Sequence, residues 1–301
     1  MTDEDYQVLK IKVLKLTGID LDSYKSLQMR RRLAFFIEKS NGLDVPDYCR
    51  KIETESNSLV KLRDFITINV TEFFRDEWAF TELENNILPA LVRIKRTLRV
   101  WSAGCSNGGE PYSLAMLLKA ITGSSLHKIL ATDVDELSLA KAAAGGPYSP
   151  DSVKGVPAQY VNQYFTTADD ALWVKPEIRN MVRFARHNML SEPFEQGFDL
   201  VCCRNVTIYF TDEAKNKLNQ QIHGSLNSSG VLFTGSTEFI HNATAIGFNK
   251  LSNCFYQKGA VPVSVNQLVK DPLLQTARRW QHEEDFIQVC QGPDDAGKAA
   301  L

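Results

Sequence analysis

Between residues 5 and 65 the apolar positions recur every three or four residues, and nothing alternates as a strand would. The spacing predicts helices over 5–16, 26–40, 45–55 and 58–65, and so a small all-α domain over residues 1–80. One more helix is expected over 87–94, ending at a basic turn of Lys95 and Arg96. From Thr97 the texture changes to the short apolar runs LRVWSA, KILATD, VRFARH, FDLVCC and GVLFTGS, with helical patterns over 112–121, 136–144 and 212–226 between them. Strands alternating with helices predict an α/β domain over 81–260, built on a parallel sheet covered on both faces. The last apolar pair, at Phe248 and 253–257, is closely spaced and predicts an antiparallel hairpin at the sheet edge.

One interval breaks the rhythm. Residues 148–182 separate the second helix from the third strand, where a single helix would suffice. Within them QYFTT, a polar turn over 168–171 and LWVK predict a hairpin in a small β-rich insertion. After residue 260 a helix is expected over 271–287, followed by a polar tail, QGPDDAGKAAL, of disorder-prone composition.

Composition narrows the function classes. The formal net charge of -2 and pI near 6.2 argue against a general nucleic-acid binder, whose footprint is basic. No apolar segment approaches the length of a membrane span, and the acidic start, Met1 to Tyr6, lacks the flank and apolar run of a signal peptide. The six cysteines form no CxxC pair, which suggests neither a zinc site nor a disulfide framework, and a reducing cytoplasm is the expected compartment. Adjacent Cys202 and Cys203 on a strand face opposite sides and read as packing. The five histidines are scattered and read as surface or core residues, so no metal is expected.

In an open parallel sheet, ligands bind at the carboxyl ends of the strands. Those ends are Gly104 to Gly109, Asp133, Asn188, Arg204 with Asn205, and Gly235 to Glu238. The first, RVWSAGCSNGGEPYS, runs from a strand through Gly104, Gly108 and Gly109 into a helix opening at Pro111. It lacks both GxGxxG and the GK[ST] of a P-loop. Glu110 at that helix start would repel a pyrophosphate but could hold the amino group of a methionine moiety. Asp133 is placed to accept from ribose hydroxyls or to cap a turn, and Asp135 reads as a helix cap.

With TINVTEFFR (Thr67 to Arg75) and FDLVCCRNVTIYF (Phe198 to Phe210), the chain resembles the chemotaxis receptor methyltransferase (CheR) family from about residue 8 to residue 258. The resemblance implies a Rossmann-like S-adenosylmethionine-dependent methyltransferase domain behind the all-α domain. It implies S-adenosyl-L-homocysteine as the product and glutamates on the cytoplasmic helices of methyl-accepting chemoreceptors as substrate. Carried over by motif, the cofactor contacts are Asn69, Thr71 and Arg75, then Gly104 and Glu110, Asp133, Asn188 with Met189, and Arg204 with Asn205. The chain departs from the family's usual pattern at Gly109, commonly glutamate, and at Asn107, commonly threonine.

A glutamate side chain is ionised at neutral pH, so as a nucleophile it needs placement and no general base. Arg75 and Tyr209 are the residues expected to orient it, with aromatic packing of FFR and IYF as the competing and less favoured reading. The run QMRRRLAFF puts Arg30, Arg31 and Arg32 about 100° apart on a helix, a solvated face or, by the resemblance, a docking surface for an acidic receptor. The hairpin turn TTADDAL lacks the glycine-rich loop of members that bind a receptor's C-terminal pentapeptide, so no tether requirement is expected. A monomer without membrane insertion or nucleic-acid partner completes the reading. A small-molecule O-methyltransferase and a non-catalytic cofactor sensor are the competing readings.

Overall fold

Local capping sets the helices of the first segment. In the computed structural model, which describes residues 1–40, 42–67 and 71–259, helix α1 (Asp3–Thr17) starts at Thr2, whose side chain accepts from Asp5 N–H at 3.1 Å while Asp5 accepts from Thr2 N–H at 2.9 Å. That reciprocal pair satisfies two otherwise orphaned donors, and Gly18 at φ 73° closes the other end. Helices α2 (Ser26–Glu38), α3 (Val45–Thr54) and α4 (Ser56–Thr67) follow. Their apolar faces, with Leu9, Leu33, Tyr48 and Leu62 at the centre, make one buried cluster. The helix expected over 87–94 is the end of a longer element. It runs through α5 (Glu77–Glu82), a π turn at Leu83–Ile87 and α6 (Leu88–Ile94). The wide turn sits just before Pro89, whose missing N–H interrupts the ordinary ladder.

The elements that follow are β1 (Arg99–Ala103), α7 (Gly109–Thr122), β2 (Lys128–Asp133) and α8 (Glu136–Ala144). The insertion carries α9 (Ala158–Tyr164), the hairpin β3 (Phe165–Ala168) and β4 (Ala171–Val174), and α10 (Pro176–Arg179). The chain continues with β5 (Val182–Arg186), β6 (Phe198–Cys203), α11 (Asp212–Ser225), β7 (Leu226–Thr234), α12 (Ala243–Ile246), β8 (Phe248–Lys250) and β9 (Phe255–Lys258). The main sheet has the order β5-β2-β1-β6-β7-β9-β8, parallel through β7 and antiparallel in the closing hairpin. This is the Rossmann-like arrangement expected, and strand order reverses between β1 and β6. The expected helix over 271–287 and the tail lie outside the described residues.

Side chains alternate across the sheet. Val100 and Cys202 enter the cluster on one face, and Trp101 and Cys203 the cluster on the other. The two-residue turn of the insertion hairpin has both Asp169 and Asp170 at positive φ, 49° and 58°, the conformation that matches strand twist. The short helices α9 and α10 flank this hairpin, and the apolar pattern alone did not assign them.

The helical segment is stitched to the sheet by backbone. Tyr24 and Phe210 form an antiparallel bridge, Lys25 N–H donates to Tyr209 O at 2.9 Å, and Thr211 N–H donates to Ser23 O at 2.9 Å. The two rings meet edge to face at 5.1 Å. Among the described residues no helix is long and apolar enough to cross a membrane.

Candidate cofactor site

A cavity partly open to solvent lies where β1, β2, β5 and β6 end, at the reversal of strand order. The turn after β1 has to be tight. Gly104 and Cys105 N–H both donate to Thr132 O, at 2.8 and 3.0 Å, with Gly104 at φ 80°. A Cβ on Gly104 would lie 2.6 Å from Val206 Cγ2, so glycine lets β1 and the loop after β6 close over one space. Gly108 at φ 93° then turns the chain into α7, whose first turn carries Glu110.

Glu110 is buried, with Ser102 Oγ donating to Oε1 at 2.7 Å and Arg204 Nη1 to Oε2 at 3.3 Å. Burial raises its pKa, and Arg204 only partly offsets this. Arg204 is itself buried, its Nη2 donating to Arg75 O at 2.7 Å and Asp76 Oδ2 at 2.9 Å. Its guanidinium packs over Phe233 at 4.4 Å and Phe80 at 5.2 Å. Such a charge is tolerable only because carboxylates and ring faces surround it.

Asp133 caps the turn after β2 and also faces the cavity. It lines the cavity, and its oxygens accept from Ser106 N–H at 2.8 Å and Asp135 N–H at 3.0 Å. Burial raises its pKa against those backbone donors. Asp135 caps α8 through Leu137 N–H at 3.0 Å.

The FFR motif divides between packing and site. Phe73 is buried against Tyr148 and Phe165, and Phe74 N–H donates to Ser113 Oγ at 3.0 Å. Arg75, half-buried, reaches the cavity wall with Thr71. A Cβ on Gly109 would lie 3.1 to 3.2 Å from the backbone of Glu72 and Phe73. A strap thus lies directly on the first turn of α7 at Gly109.

Asn188 also lines the wall, but its side chain is engaged, donating to Gly18 O at 3.0 Å and accepting from Leu190 N–H at 3.0 Å. It therefore ties the end of α1 to the turn after β5. Met189, Asn205 and Tyr209 complete the set around this cavity. Asn69 lies outside the described residues. The strand end Gly235 to Glu238 does not reach the cavity wall.

Of the three arginines, Arg31 and Arg32 line a groove with Lys25, Leu27, Phe35 and Phe65. Arg30 turns away, paired with Asp3 and donating to Met1 O at 2.7 Å. Sequence reasoning missed Tyr24, Thr67, Ser106 and His187 on the cavity wall. Ser106 sits in the glycine-rich turn and was within reach of the motif. Tyr24 and Thr67 depend on how the helices dock, and His187, read as surface or core, had no distinguishing local signal.

The wall fits a ligand that is cationic at one end and hydroxylated elsewhere. Two carboxylates, Glu110 and Asp133, face it, and Ser106 Oγ and Arg204 Nε are buried without a partner among the described residues. Residues 4–67 match the CheR methyltransferase all-alpha domain, and residues 69–254 match the CheR methyltransferase SAM binding domain. The chain belongs to the CheR methyltransferase family. It is 38% identical over 257 residues to a chemotaxis protein methyltransferase of Listeria monocytogenes, covering 85% of this chain and 98% of that one. It is 34% identical over 249 residues to chemotaxis protein methyltransferase 1 of Pseudomonas aeruginosa, covering 79% and 91%. S-adenosylmethionine is the cofactor of this CheR family member, and the chemistry of the wall suits it. Glu110 would hold the amino group and Asp133 the ribose hydroxyls.

Proposed function

We propose that this CheR methyltransferase esterifies glutamate side chains on the cytoplasmic helices of methyl-accepting chemoreceptors, acting in the cytoplasm as a monomer in chemotactic adaptation. The observation that carries the reading is that a residue of the α2 groove is bonded to the turn that lines the cavity. Lys25 on the groove donates through its backbone to Tyr209 O at 2.9 Å and through Nζ to Ile208 O at 2.9 Å. Tyr209 belongs to the same turn and lines the cavity. Arg31, Arg32 and exposed Leu27 and Phe35 offer charge and apolar contact to an acidic amphipathic helix. A small methyl acceptor has no use for such a groove.

When bound, S-adenosylmethionine supplies an electrophilic methyl on a positively charged sulfur. The acceptor carboxylate would gain that methyl through a new C–O bond, and the sulfur would leave as a thioether with the electron pair of the broken bond. Arg75 and Tyr209 orient that carboxylate with a guanidinium fork and a phenol hydroxyl. The strap bearing Arg75 and the loop bearing Tyr209 enclose the cavity and limit water, which favours a step in which opposite charges cancel.

The assay is incubation with methyl-labelled cofactor and chemoreceptor membranes, followed by alkali. Methyl esters release labelled methanol, so absence of base-labile label would refute the reading. The insertion turn at Asp169 and Asp170 is acidic and two residues long, and we propose that no receptor pentapeptide is required. Equal methylation of receptors with and without their C-terminal five residues is expected, and tight capture of that peptide by the insertion would overturn it.

A further inference from the structure

Glu238 lies on the turn after β7, buried and off the cavity wall. Its Oε1 accepts from Thr207 N–H at 2.7 Å and the Thr207 hydroxyl at 2.8 Å. Its Oε2 accepts from Gly235 N–H at 2.9 Å and from Asn205 N–H. One carboxylate thus gathers four donors from two neighbouring strand ends. Space is tight as well, because a Cβ on Gly235 would collide with the Glu238 carboxylate and come 3.0 Å from Asn205 N.

The loop held this way is the one after β6. It passes through Asn205 at φ 59°, in the left-handed region that asparagine enters more readily than most side chains. It then forms the short turn Thr207–Tyr209. Along it Arg204, Asn205, Val206 and Tyr209 face the cavity. Without a central acceptor, the N–H groups of Asn205 and Thr207 would be left to water and the loop would lose its reason for this shape.

We infer that Glu238 is a positioning residue for cofactor binding and methyl transfer, fixing the loop from Arg204 to Tyr209 around the cavity without touching either reactant. The inference rests on the proposed acceptor only for its kinetic arm. The binding arm needs only the cofactor.

The test compares the full-length protein with Glu238→Gln, Thr207→Val, the double variant, and Leu218→Ala in the core beneath α11 as a control for destabilisation. Affinity for S-adenosylhomocysteine is read by calorimetry and melting temperature by scanning calorimetry. Glutamine presents an NH₂ group to donors, so Glu238→Gln is expected to weaken binding about tenfold or more and to lower kcat about as much. Thr207→Val removes one of the four donors and should weaken binding less, with no further effect in the Glu238→Gln background. Leu218→Ala should lower the melting temperature and leave affinity near wild type.

Affinity of Glu238→Gln within about twofold of wild type would overturn the inference, as would an equal loss of affinity in Leu218→Ala at a matched drop in melting temperature. Should Glu238→Gln fail to fold, Thr207→Val decides, since unchanged affinity there overturns the inference too. A wild-type protein that binds S-adenosylhomocysteine yet leaves receptors unmethylated refutes the proposed acceptor, and the binding arm still decides the role of Glu238.

Discussion

Glu110 on the first turn of α7 and Arg204 at the end of β6 face each other inside the cavity, Oε2 to Nη1 3.3 Å, and burial nevertheless holds the Glu110 carboxyl above its usual range. The sign of the pH effect follows. In the cofactor-free protein a raised carboxyl pKa contributes stability that is present below the unfolded value and lost as pH rises through the folded one. A bound ammonium group favours the ionised carboxylate, so binding expels a proton near the raised pKa. Cofactor affinity should therefore fall as pH drops through that range, while the stability contribution of Glu110 to the free protein moves the opposite way. Calorimetry from about pH 8 down to about pH 4.5, in buffers of different ionisation enthalpy, reads both affinity and proton release. Glu110→Gln removes a charge-assisted contact and should weaken binding roughly tenfold to hundredfold while flattening the pH dependence. An unchanged pH profile in that variant would exclude Glu110 as the titrating group.

Gly104 is a second point where cofactor space depends on one residue. Alanine there would place Cβ 2.6 Å from Val206 Cγ2 at a φ of 80°. The left-handed conformation costs a non-glycine about 1–2 kcal/mol, and the overlap adds about 1–3 kcal/mol. Gly104→Ala should lower the melting temperature and weaken cofactor binding, and adding Val206→Ala should recover the overlap part but not the backbone part. No recovery in the double variant would show that the contact with Val206 is not the limiting one.

These residues also show how far the sequence could be read. The runs KILATD and FDLVCC coincide with β2 and β6 because central parallel strands are buried on both faces and so appear as unbroken apolar stretches. The polar ends of β1, β2 and β6 led to Glu110, Asp133 and Arg204, since parallel topology puts every such end on one edge. What depends on tertiary contacts was hidden. Helix α5 starts after Asp76, which sits at φ 62° and makes no side-chain cap because its carboxylate is spent on Arg204. Helix α2 starts after Lys25, likewise without a side-chain cap, where the backbone is committed to Tyr209. The start of α5 was missed, whereas the apolar spacing placed that of α2 at residue 26, and Tyr24 reached the cavity only through the docking of its segment. The arginine run was read as a unit, yet Asp3 and Met1 draw Arg30 to the opposite side from Arg31 and Arg32.

That division makes a selective prediction for docking. Arg31→Glu should raise the KM for receptor about tenfold, in line with loss of one or two interfacial charge contacts, and make it less salt-sensitive. Arg30→Glu should affect KM much less, and any effect should appear in melting temperature through the lost contact with α1. Both should bind S-adenosylhomocysteine as wild type does. Equal KM effects from the two substitutions would show that the α2 groove is not the docking face.

Arg75 is where the strap meets the cavity. Its carbonyl takes a hydrogen bond from Arg204 Nη2 at 2.7 Å, which fixes the backbone, while its side chain lines the cavity. An alanine keeps the carbonyl contact and deletes the side chain beyond Cβ, so Arg75→Ala separates the side-chain role from that of the backbone. If that guanidinium orients the acceptor carboxylate, kcat should fall by roughly 10²–10³, the scale seen when a positioned transition-state donor is removed. Affinity for S-adenosylhomocysteine should change much less, and added guanidinium ion should restore part of the rate. Tyr209→Phe deletes one neutral hydrogen bond and should cost about tenfold or less. A variant that lost cofactor affinity in proportion to kcat would reassign Arg75 to the cofactor, and one that kept wild-type kcat would leave it no part in the chemistry.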